Sequence, residues 1–399
     1  MNEQPYGVPC EHWPPKLTPW WFRLCKWFRD RDLRSQKMTD ITLLGCDAIA
    51  RAVDRNAGIL LAPNHSFHWD SYCLLRAAEQ LRVPFYFMTA WQVFEVSSRF
   101  TRESMQRCGC FSVDREGTDM QALKTAVDIL KTRTNPLVVF PEGDIYHTND
   151  RVTPFREGAA AMALMAAKKS DRPVAVIPVA IKRWYLDDPT SSLQQTVSRI
   201  ERSLHWTEKA HRSLRERVLH IAEGLLALKE TEYLNTTQQG SLRARIQGLM
   251  LALLNECEAK YSIAKKDTLP PERIKGVRQA IIQQRESQRT TATERARREW
   301  DEDMNKMFMA TQLYSYPGTY LGDADSIERL VETVDKLEED VLGCAYPTVH
   351  GAKRVTVQFD TPIWLDKNSS KSSSASTLTA EMQHRVQTLL DSLNATPTP

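Results

Sequence analysis

The sequence predicts an α/β fold: a mostly parallel sheet flanked by helices and interrupted by an all-helical insertion. Short apolar runs alternate with helix-like segments across residues 40–190. Continuous apolar runs of this kind are typical of parallel strands that helices cover on both faces. Helical periodicity then continues across residues 191–345, and strand-like alternation returns within 346–366. We therefore expect an α/β core made of the first and third segments, with the helical segment inserted between them.

The strands and helices of the first core segment follow from their apolar patterns. Four bounded runs predict buried strands: GILLA (58–62), VPFYFMTA (83–90), PLVVFPEG (136–143) and RPVAVIPVAI (172–181). Three stretches between them predict helices: SYCLLRAAEQL, DMQALKTAVDILKT and EGAAAMALMAAKKS. Strands and helices thus alternate, which is the order expected of a parallel sheet with crossover helices.

The insertion is expected to begin with one long helix. Apolar residues recur every seven positions from Leu193 to Leu228, interrupted at Thr207, which is the spacing of a coiled-coil-like seam. The polar stretch NTTQQGS then predicts a turn, and a returning apolar pattern completes an αα-hairpin. A helix with proline in its first turn and a helix that ends at Gly343 follow. A membrane platform, a lid and an arm for self-association are all compatible with this segment.

The two ends of the chain have distinct compositions. Residues 367–399 contain a serine-rich stretch that predicts a flexible linker, followed by an amphipathic helix. Residues 1–39 are basic and aromatic: between Lys16 and Lys37, seven Lys or Arg accompany two Asp. Large apolar side chains recur there at helical spacing: Trp20, Trp21, Leu24, Trp27 and Phe28. Such a helix either lies in a lipid headgroup interface or docks on the protein's own core.

Composition excludes several classes of protein. The net charge of +3 is too small to indicate a nucleic-acid partner. The sequence has no run of about 18 apolar residues and no apolar leader, so neither a membrane-spanning helix nor a signal peptide is expected. Eight cysteines in 399 residues favour reduced thiols over a disulfide framework. With the basic N-terminal region, these features predict a cytoplasmic protein bound peripherally to the inner face of a membrane.

The stretch LLAPNHSFHWD joins the first buried strand to the following helix. His65 falls in the turn, and Asp70 falls at the start of the helix. A carboxylate beside one imidazole nitrogen fixes the tautomer, so that the other nitrogen can act as a general base at the edge where α/β sheets bind ligands. Two alternatives stay open from these residues: a metal site with His65, His68, Asp70 and His147, or a purely structural turn.

Three further stretches of the sequence contain, or lie next to, predicted strands. RCGCFSVDREG holds Gly109 and Arg115, VVFPEGD places Glu142 at a strand end, and VIPVAI is an apolar strand. Taken singly, each has an ordinary explanation, namely a surface ion pair, a turn and core packing.

Taken together, the four stretches resemble the glycerolipid acyltransferase family, whose best-known members are lysophosphatidate (1-acylglycerol-3-phosphate) acyltransferases. The motifs that carry the resemblance are NHxxxxD from Asn64 to Asp70, GxxxxxR from Gly109 to Arg115, FPEG from Phe140 to Gly143, and IPV at 177–179. The segment TPFREGAAAMAL and the strand RVTVQFDTPI are also similar to the family. The resemblance covers about residues 40–190 and 350–366 and leaves out the insertion.

The resemblance implies transfer of a fatty acyl chain from acyl-CoA or acyl-carrier protein to a hydroxyl of a lysophospholipid in phospholipid biosynthesis. The favoured acceptor is 1-acylglycerol-3-phosphate, and neither a metal nor another cofactor is implied. His65 would be the general base, and Asp70 would orient it. The residues that would bind substrate are Asn64, Gly109, Arg115, Phe140, Pro141, Glu142, Gly143 and Arg156.

The sequence departs from the family pattern at two points. The family commonly has FPEGTRS, whereas this chain has FPEGDIY, which removes an arginine and places an acid, Asp144, after Gly143. Either Arg151 or Arg156 supplies the missing charge, or the acceptor is less anionic than lysophosphatidate. The stretch MTAWQVF also lacks the lysine that often follows the second strand in the family.

Two other functions remain compatible with the sequence. The insertion and the altered FPEG turn suit a membrane-associated helical scaffold whose acyltransferase core has lost or narrowed its activity. An acyl-thioester hydrolase would instead use His65 to activate water.

Overall fold

The computed structural model describes residues 10–117, 119–264, 268–322, 326–368 and 373–395. They form two compact units: a helical unit, Thr190–Thr348, and an α/β unit made of the described residues up to Pro189 and from Val349 onward. The first nine residues of the N-terminal region and the middle of the predicted serine-rich linker lie outside the described ranges.

Helices and strands alternate along the first part of the α/β unit. In chain order it contains α1 (Pro19–Leu24), α2 (Lys26–Ser35), β1 (Met38–Leu44), α3 (Asp47–Asp54), β2 (Gly58–Pro63), α4 (Asp70–Gln80), β3 (Tyr86–Ala90), α5 (Trp91–Glu95), α6 (Arg99–Arg107), β4 (Cys110–Val113), α7 (Met120–Thr132), β5 (Leu137–Val138), α8 (Gly158–Lys169) and β6 (Val174–Tyr185). The helical unit contains α9 (Thr190–Ser203), α10 (Leu214–Leu234), α11 (Leu242–Lys260), α12 (Pro270–Ser287), α13 (Glu294–Tyr314) and α14 (Ile327–Leu342). The α/β unit resumes with β7 (Lys353–Phe359), β8 (Ile363–Leu365) and α15 (Ala375–Ala395). Among the helices that the structure describes, none combines the length and the apolar character needed to cross a membrane.

Within the described ranges, the α/β unit contains one sheet of eight strands. Their order is β1-β7-β6-β2-β5-β3-β4, and β8 pairs with β6 outside this path. β2 is parallel to both β5 and β6, and β3 is parallel to both β4 and β5. β1 and β7 are parallel to each other, whereas β7 and β8 run antiparallel to β6. The predicted fold class, a mostly parallel sheet flanked by helices with additional helices inserted, is confirmed.

The central strand β2 is buried on both faces. Ile59 and Leu61 pack with residues of α3 and α4, whereas Leu60 and Ala62 pack with residues of α7, α8 and α15. Because side chains alternate between the faces of a strand, both sets of positions must be apolar. This accounts for the unbroken apolar run that precedes the histidine turn.

Several predicted strands differ in length from the observed ones; the strand expected at 83–90, for example, is Tyr86–Ala90. The strand expected at 136–143 is only Leu137–Val138, because the chain turns at Phe140–Gly143, where the Gly143 N–H donates to the Phe140 carbonyl at 3.1 Å. The strand expected at 172–181 instead continues to Tyr185, because β7 pairs with its second half from Val179 onward.

The prediction of one long helix at the start of the helical unit is wrong, because the chain leaves the helix between α9 and α10. In this connection the Trp206 ring packs against Gly224, where a Cβ atom would lie 2.4 Å from the ring. Ser213 and Glu216 then form a capping box that starts α10. The seven-residue seam also ends early, since Leu228 is exposed.

The later helix predictions for this unit are confirmed. α10 and α11 form the expected αα-hairpin, with Asn235 at the end of α10 in the left-handed region at φ 58°. α12 begins with proline, and α14 ends at Gly343, whose φ of 65° is the usual helix-terminating conformation of glycine.

Ion pairs link consecutive helices of the helical unit near their connections. The pairs are Glu201 with Arg217 at 2.6 Å, Glu230 with Arg245 at 2.7 Å, Glu258 with Arg273 at 2.7 Å, and Arg285 with Asp301. The Glu230 carboxylate is fully buried and also accepts the Gln238 backbone N–H at 3.0 Å. It therefore holds the α10–α11 turn as well as the two helices.

We expect Glu230→Ala to destabilise the protein by about 3 kcal/mol, because it leaves the guanidinium of Arg245 without its partner. Urea unfolding followed by circular dichroism measures this change. Glu232→Ala, which removes a carboxylate with a side-chain exposure of 51% on the same helix, is the matched control and should change the free energy of unfolding by about 0.5 kcal/mol or less. Equal losses in the two variants would contradict a special role for the buried pair.

Candidate active site

The candidate site lies at the carboxyl end of β2, where the chain passes into α4. β5, next to β2, leads at its own carboxyl end into the Phe140–Gly143 turn. The carboxyl ends of parallel strands meet at one edge of the sheet, where open α/β sheets bind ligands. The structure therefore brings the NHxxxxD and FPEG motifs to the same edge.

His65 and Asp70 are in contact. His65 Nδ1 lies 3.2 Å from Asp70 Oδ2, and the backbone N–H groups of Ser66 and Phe67 donate to the same oxygen at 2.7 and 2.8 Å. The Asp70 side chain is fully buried, whereas that of His65 is 17% exposed. A carboxylate held in this way accepts a hydrogen bond from the Nδ1–H group, which leaves Nε2 as the nitrogen that can act as the base. Nε2 makes no hydrogen bond within the part of the chain that the structure describes.

A buried arginine, which sequence analysis missed, lies on the other side of Asp70. Arg183 Nη1 is 3.2 Å from Asp70 Oδ1, and its guanidinium carbon lies 4.3 Å from the centre of the Phe67 ring. The side chain is 6% exposed. Asp70 is therefore held between a cation and the imidazole. The only signal in the sequence is a charged pair, Lys182 and Arg183, within an otherwise apolar strand.

Two asparagine side chains continue the pairing of β6 beyond the end of β2. Asn64 donates to the Ile181 carbonyl at 3.0 Å and accepts the Ile181 N–H at 2.7 Å. Asn149 makes the same two bonds with Arg183, both at 2.8 Å. The amide groups thus replace a backbone strand and fix the positions of His65 and Arg183. The contact of Asn64 with substrate stays a prediction.

The His65 ring stacks on Phe140 of the FPEG turn, with ring centres 4.0 Å apart and planes inclined by 24°. His68 points its ring toward a different neighbour, His147, with ring centres 5.6 Å apart. Within the described residues, His65 and Asp70 do not share a three-ligand cluster with a third His, Cys, Asp or Glu side chain. The contact of His65 with Asp70 is the one expected of a base and its orienting acid, and the absence of a metal from the reaction stays a prediction.

Glu142 links the two turns of the site through hydrogen bonds. Its carboxyl group is buried, and it accepts the backbone N–H of His65 at 2.6 Å and that of Thr153 at 2.9 Å. Burial raises the pKa of Glu142 to about 8, although the hydrogen bonds from His65 and Thr153 act in the opposite direction. Glu142 thereby joins the FPEG turn to the histidine turn, and its predicted contact with substrate stays a prediction.

The rest of the FPEG turn is shaped by its arginine neighbours. The Pro141 carbonyl accepts the Arg156 N–H at 2.8 Å. Gly143 has a φ of 79°, a backbone conformation that favours glycine, and a Cβ atom there would lie 2.8 Å from Arg156 Nε. Arg115 Nη1 donates to the Gly143 carbonyl at 2.8 Å. Arg115 and Arg156 therefore meet at Gly143.

Gly109 is the predicted site residue that the structure does not bring to the others. It precedes β4 at the amino end of the strand, with a φ of 96°, and a Cβ atom there would lie 2.5 Å from the Phe85 carbonyl oxygen. Its glycine is explained by this close approach of two backbones.

An imidazole oriented by a buried acid at the carboxyl edge of an α/β sheet defines a class of enzymes that activate a hydroxyl or water. The comparisons with known proteins show which family part of the chain is similar to. Residues 47–182 match the family model described as Acyltransferase. The match covers about a third of the chain, and over these residues the resemblance to glycerolipid acyltransferases is confirmed.

A curated relative extends the comparison. The 1-acyl-sn-glycerol-3-phosphate acyltransferase of Streptococcus pneumoniae (strain ATCC BAA-255 / R6) is 32% identical over 108 residues, which are 27% of this chain and 37% of the relative. The matched part thus spans little more than a third of the relative's length.

The raised pKa of Glu142 predicts a pH dependence of stability. The folded protein retains the Glu142 proton up to about pH 8, whereas the unfolded chain releases it near 4.5. Stability due to this proton is therefore present at low pH and is lost as the pH rises through this window. Between pH 5 and 8, the free energy of unfolding of the wild-type protein should fall, relative to that of Glu142→Gln, by up to about 1.4 kcal/mol per pH unit.

Urea unfolding at half-unit pH steps measures this difference. Glu381→Gln, which removes a carboxyl group with a side-chain exposure of 43% on α15, is the control and should follow the wild-type curve. Parallel curves for the wild type and Glu142→Gln would show that Glu142 holds no proton in the folded state.

Proposed function

We propose that the protein transfers a fatty acyl chain from a thioester to a hydroxyl of a lysophospholipid. The observation that carries the proposal is the contact of His65 with buried Asp70 inside the segment that matches the Acyltransferase family model. The donor is acyl-CoA or acyl-carrier protein, and the reaction uses neither a metal nor another cofactor. The first acceptor to test is 1-acylglycerol-3-phosphate, because the curated relative is named for it.

The chemistry assigned to the site is a single acyl transfer assisted by a general base. Asp70 holds the Nδ1 proton of His65, and Nε2 takes the proton of the acceptor hydroxyl as its oxygen attacks the thioester carbonyl carbon. The carbon–sulfur bond then breaks, and the leaving thiolate takes the proton from Nε2. The products are the ester and the free thiol, and His65 returns to its starting state.

The cations near Gly143 support the same proposal. Arg115 and Arg156 converge on the turn that also carries the ring stacked on His65. Guanidinium groups bind phosphate oxygens with two parallel hydrogen bonds, so this corner suits the headgroup of a phospholipid acceptor. In this proposal Phe140, Pro141 and Gly143 contact the headgroup of the acceptor, because they form the turn on which the two arginines converge.

His65→Ala and Asp70→Asn should each lower kcat for acyl transfer by about 10²- to 10⁴-fold, because a positioned general base contributes a factor of this size. Mass spectrometry of the products from acyl-CoA and a lysolipid mixture measures the loss. His68→Ala should keep most of the activity, and a chelator should have no effect.

Other outcomes of this assay identify the alternatives. Undiminished turnover in both variants would contradict the assigned roles, and loss of activity with a chelator would indicate a metal. Consumption of acyl-CoA without acylated acceptor would indicate a hydrolase. Folded, vesicle-bound protein without turnover on any acceptor would favour a scaffold.

We also propose that α1 and α2 bind the protein to the cytoplasmic face of a membrane. One side of this helix pair faces the protein: Phe22, Leu33 and Arg29 are buried, and Arg29 pairs with Glu79. The other side is exposed and apolar, with fractional exposures of 59% for Trp20, 62% for Leu24, 60% for Trp27 and 46% for Phe28. Exposed aromatic side chains on a basic segment suit anionic lipid. Self-association through the helical unit stays a prediction from the sequence.

Replacing Trp20 and Trp27 with serine should weaken binding to anionic phosphatidylglycerol vesicles by about tenfold or more, because each ring loses its transfer from water to the interface. Sedimentation with vesicles measures the partition. Tyr346→Ser, which removes an aromatic side chain with an exposure of 58% in the helical unit, is the control and should bind as the wild type does. Unchanged binding of the tryptophan variant would exclude this patch as the membrane contact.

A further inference from the structure

Asp144, the residue that follows the FPEG motif, occupies the anion-binding corner. Its Oδ1 lies 3.5 Å from Arg115 Nη1 and accepts the Ile145 N–H at 3.0 Å. The side chain is 23% exposed, close to the 22% of its partner Arg115. Both contacts are made by the same oxygen, Oδ1, and they hold the carboxylate beside Arg115.

The electrostatic surroundings of Asp144 are those of the active site. Burial by itself would raise the pKa of Asp144, but the cation of Arg115, the Ile145 hydrogen bond and the cation of Arg156 together lower it, and His65 adds to this effect. Asp144 is thus charged at neutral pH and close enough to His65 to interact with it. A headgroup that binds Arg115 and Arg156 must approach this carboxylate.

Asp144 changes the charge of this corner. It adds one negative charge beside the guanidinium groups of Arg115 and Arg156 and so lowers the positive potential there. A phosphate monoester carries between one and two negative charges at neutral pH, because its second pKa is about 6. A phosphate diester carries one. Asp144 therefore repels the second negative charge of a monoester, a charge that the diester lacks.

We propose that Asp144 selects the acceptor: the site prefers a lysophospholipid whose phosphate is a diester with one negative charge over the monoester 1-acylglycerol-3-phosphate. Specificity of this kind comes from a repulsive group that penalises the wrong substrate. The inference rests on the proposed acyl transfer and narrows its substrate class.

The test compares acceptors of equal chain length with the full-length protein and palmitoyl-CoA. The acceptors are 1-acylglycerol-3-phosphate as the monoester, and lysophosphatidylglycerol and lysophosphatidylethanolamine as diesters without and with an amine. The variant is Asp144→Asn, which keeps an oxygen to accept the Ile145 N–H. The control is Asp171→Asn, which removes the same charge from a side chain with an exposure of 98%. Circular dichroism melting shows that each variant is folded.

We expect the wild-type protein to have a higher kcat/KM for the diesters than for the monoester. Asp144→Asn should raise kcat/KM for the monoester about tenfold and change that for lysophosphatidylglycerol much less, because the lost repulsion acts only on the second charge. Asp171→Asn should behave as the wild type does. If Asp144→Asn also lowers kcat/KM for lysophosphatidylethanolamine but not for lysophosphatidylglycerol, the carboxylate also binds the amine. This result would support the same selection.

Two results would overturn this inference while leaving the proposed function in place. One is a wild-type preference for the monoester, and the other is an Asp144→Asn variant with unchanged acceptor selectivity. Absence of acyl transfer to all three acceptors, with His65→Ala indistinguishable from the wild type, would overturn the proposed function itself.

Discussion

The fully buried carboxylate of Asp70 is the constraint on which the rest of the site depends. Moving a carboxylate out of water costs several kcal/mol unless donors replace the lost hydration. In this site the donors are two backbone N–H groups, the His65 imidazole and the Arg183 guanidinium. Asp70 is also the first residue of α4, where the helix dipole favours a negative charge. The position of His65 follows from these contacts, because the turn that supplies two of the donors also carries the imidazole.

The same constraint reaches into the second half of β6. Arg183 lies beyond the point at which β2 ends, so its backbone is held by the Asn149 amide on one side and by β7 on the other. β7 comes from the part of the chain that follows the helical unit. The geometry at His65 therefore depends on a strand that joins the sheet late in the sequence. A defect in β7 would affect the imidazole through Arg183 and Asp70 without contact with either ring nitrogen.

Contacts between residues close in the sequence could be predicted from the sequence. Contacts that depend on which strands pair in the sheet could not. His65 and Asp70 are five residues apart, so a strand, a turn and a helix suffice to bring them together. Arg183 is 113 residues from Asp70, and only the pairing of β2 with β6 makes them neighbours. Gly109 shares a motif with Arg115, which predicts that both lie in the site. The strand β4 runs between them, so they lie at opposite edges of the sheet. The division of the first insertion helix was also missed, because the heptad pattern does not show that Trp206 packs on Gly224.

The antiparallel pairing of Tyr185 with Lys353 means that the chain leaves the sheet and returns to it at adjacent positions. In topological terms, β6 and β7 are a β-hairpin whose connecting turn is a folded helical unit. Closing a longer loop adds little entropy cost, since each doubling of loop length costs only about 0.6 kcal/mol. The sheet thus tolerates an insert of almost any length at this point, provided that the insert begins and ends close together. We therefore expect β6 and β7 to stay paired when the helical unit is exchanged for a short turn or for another small domain, so that this junction can accept a new module.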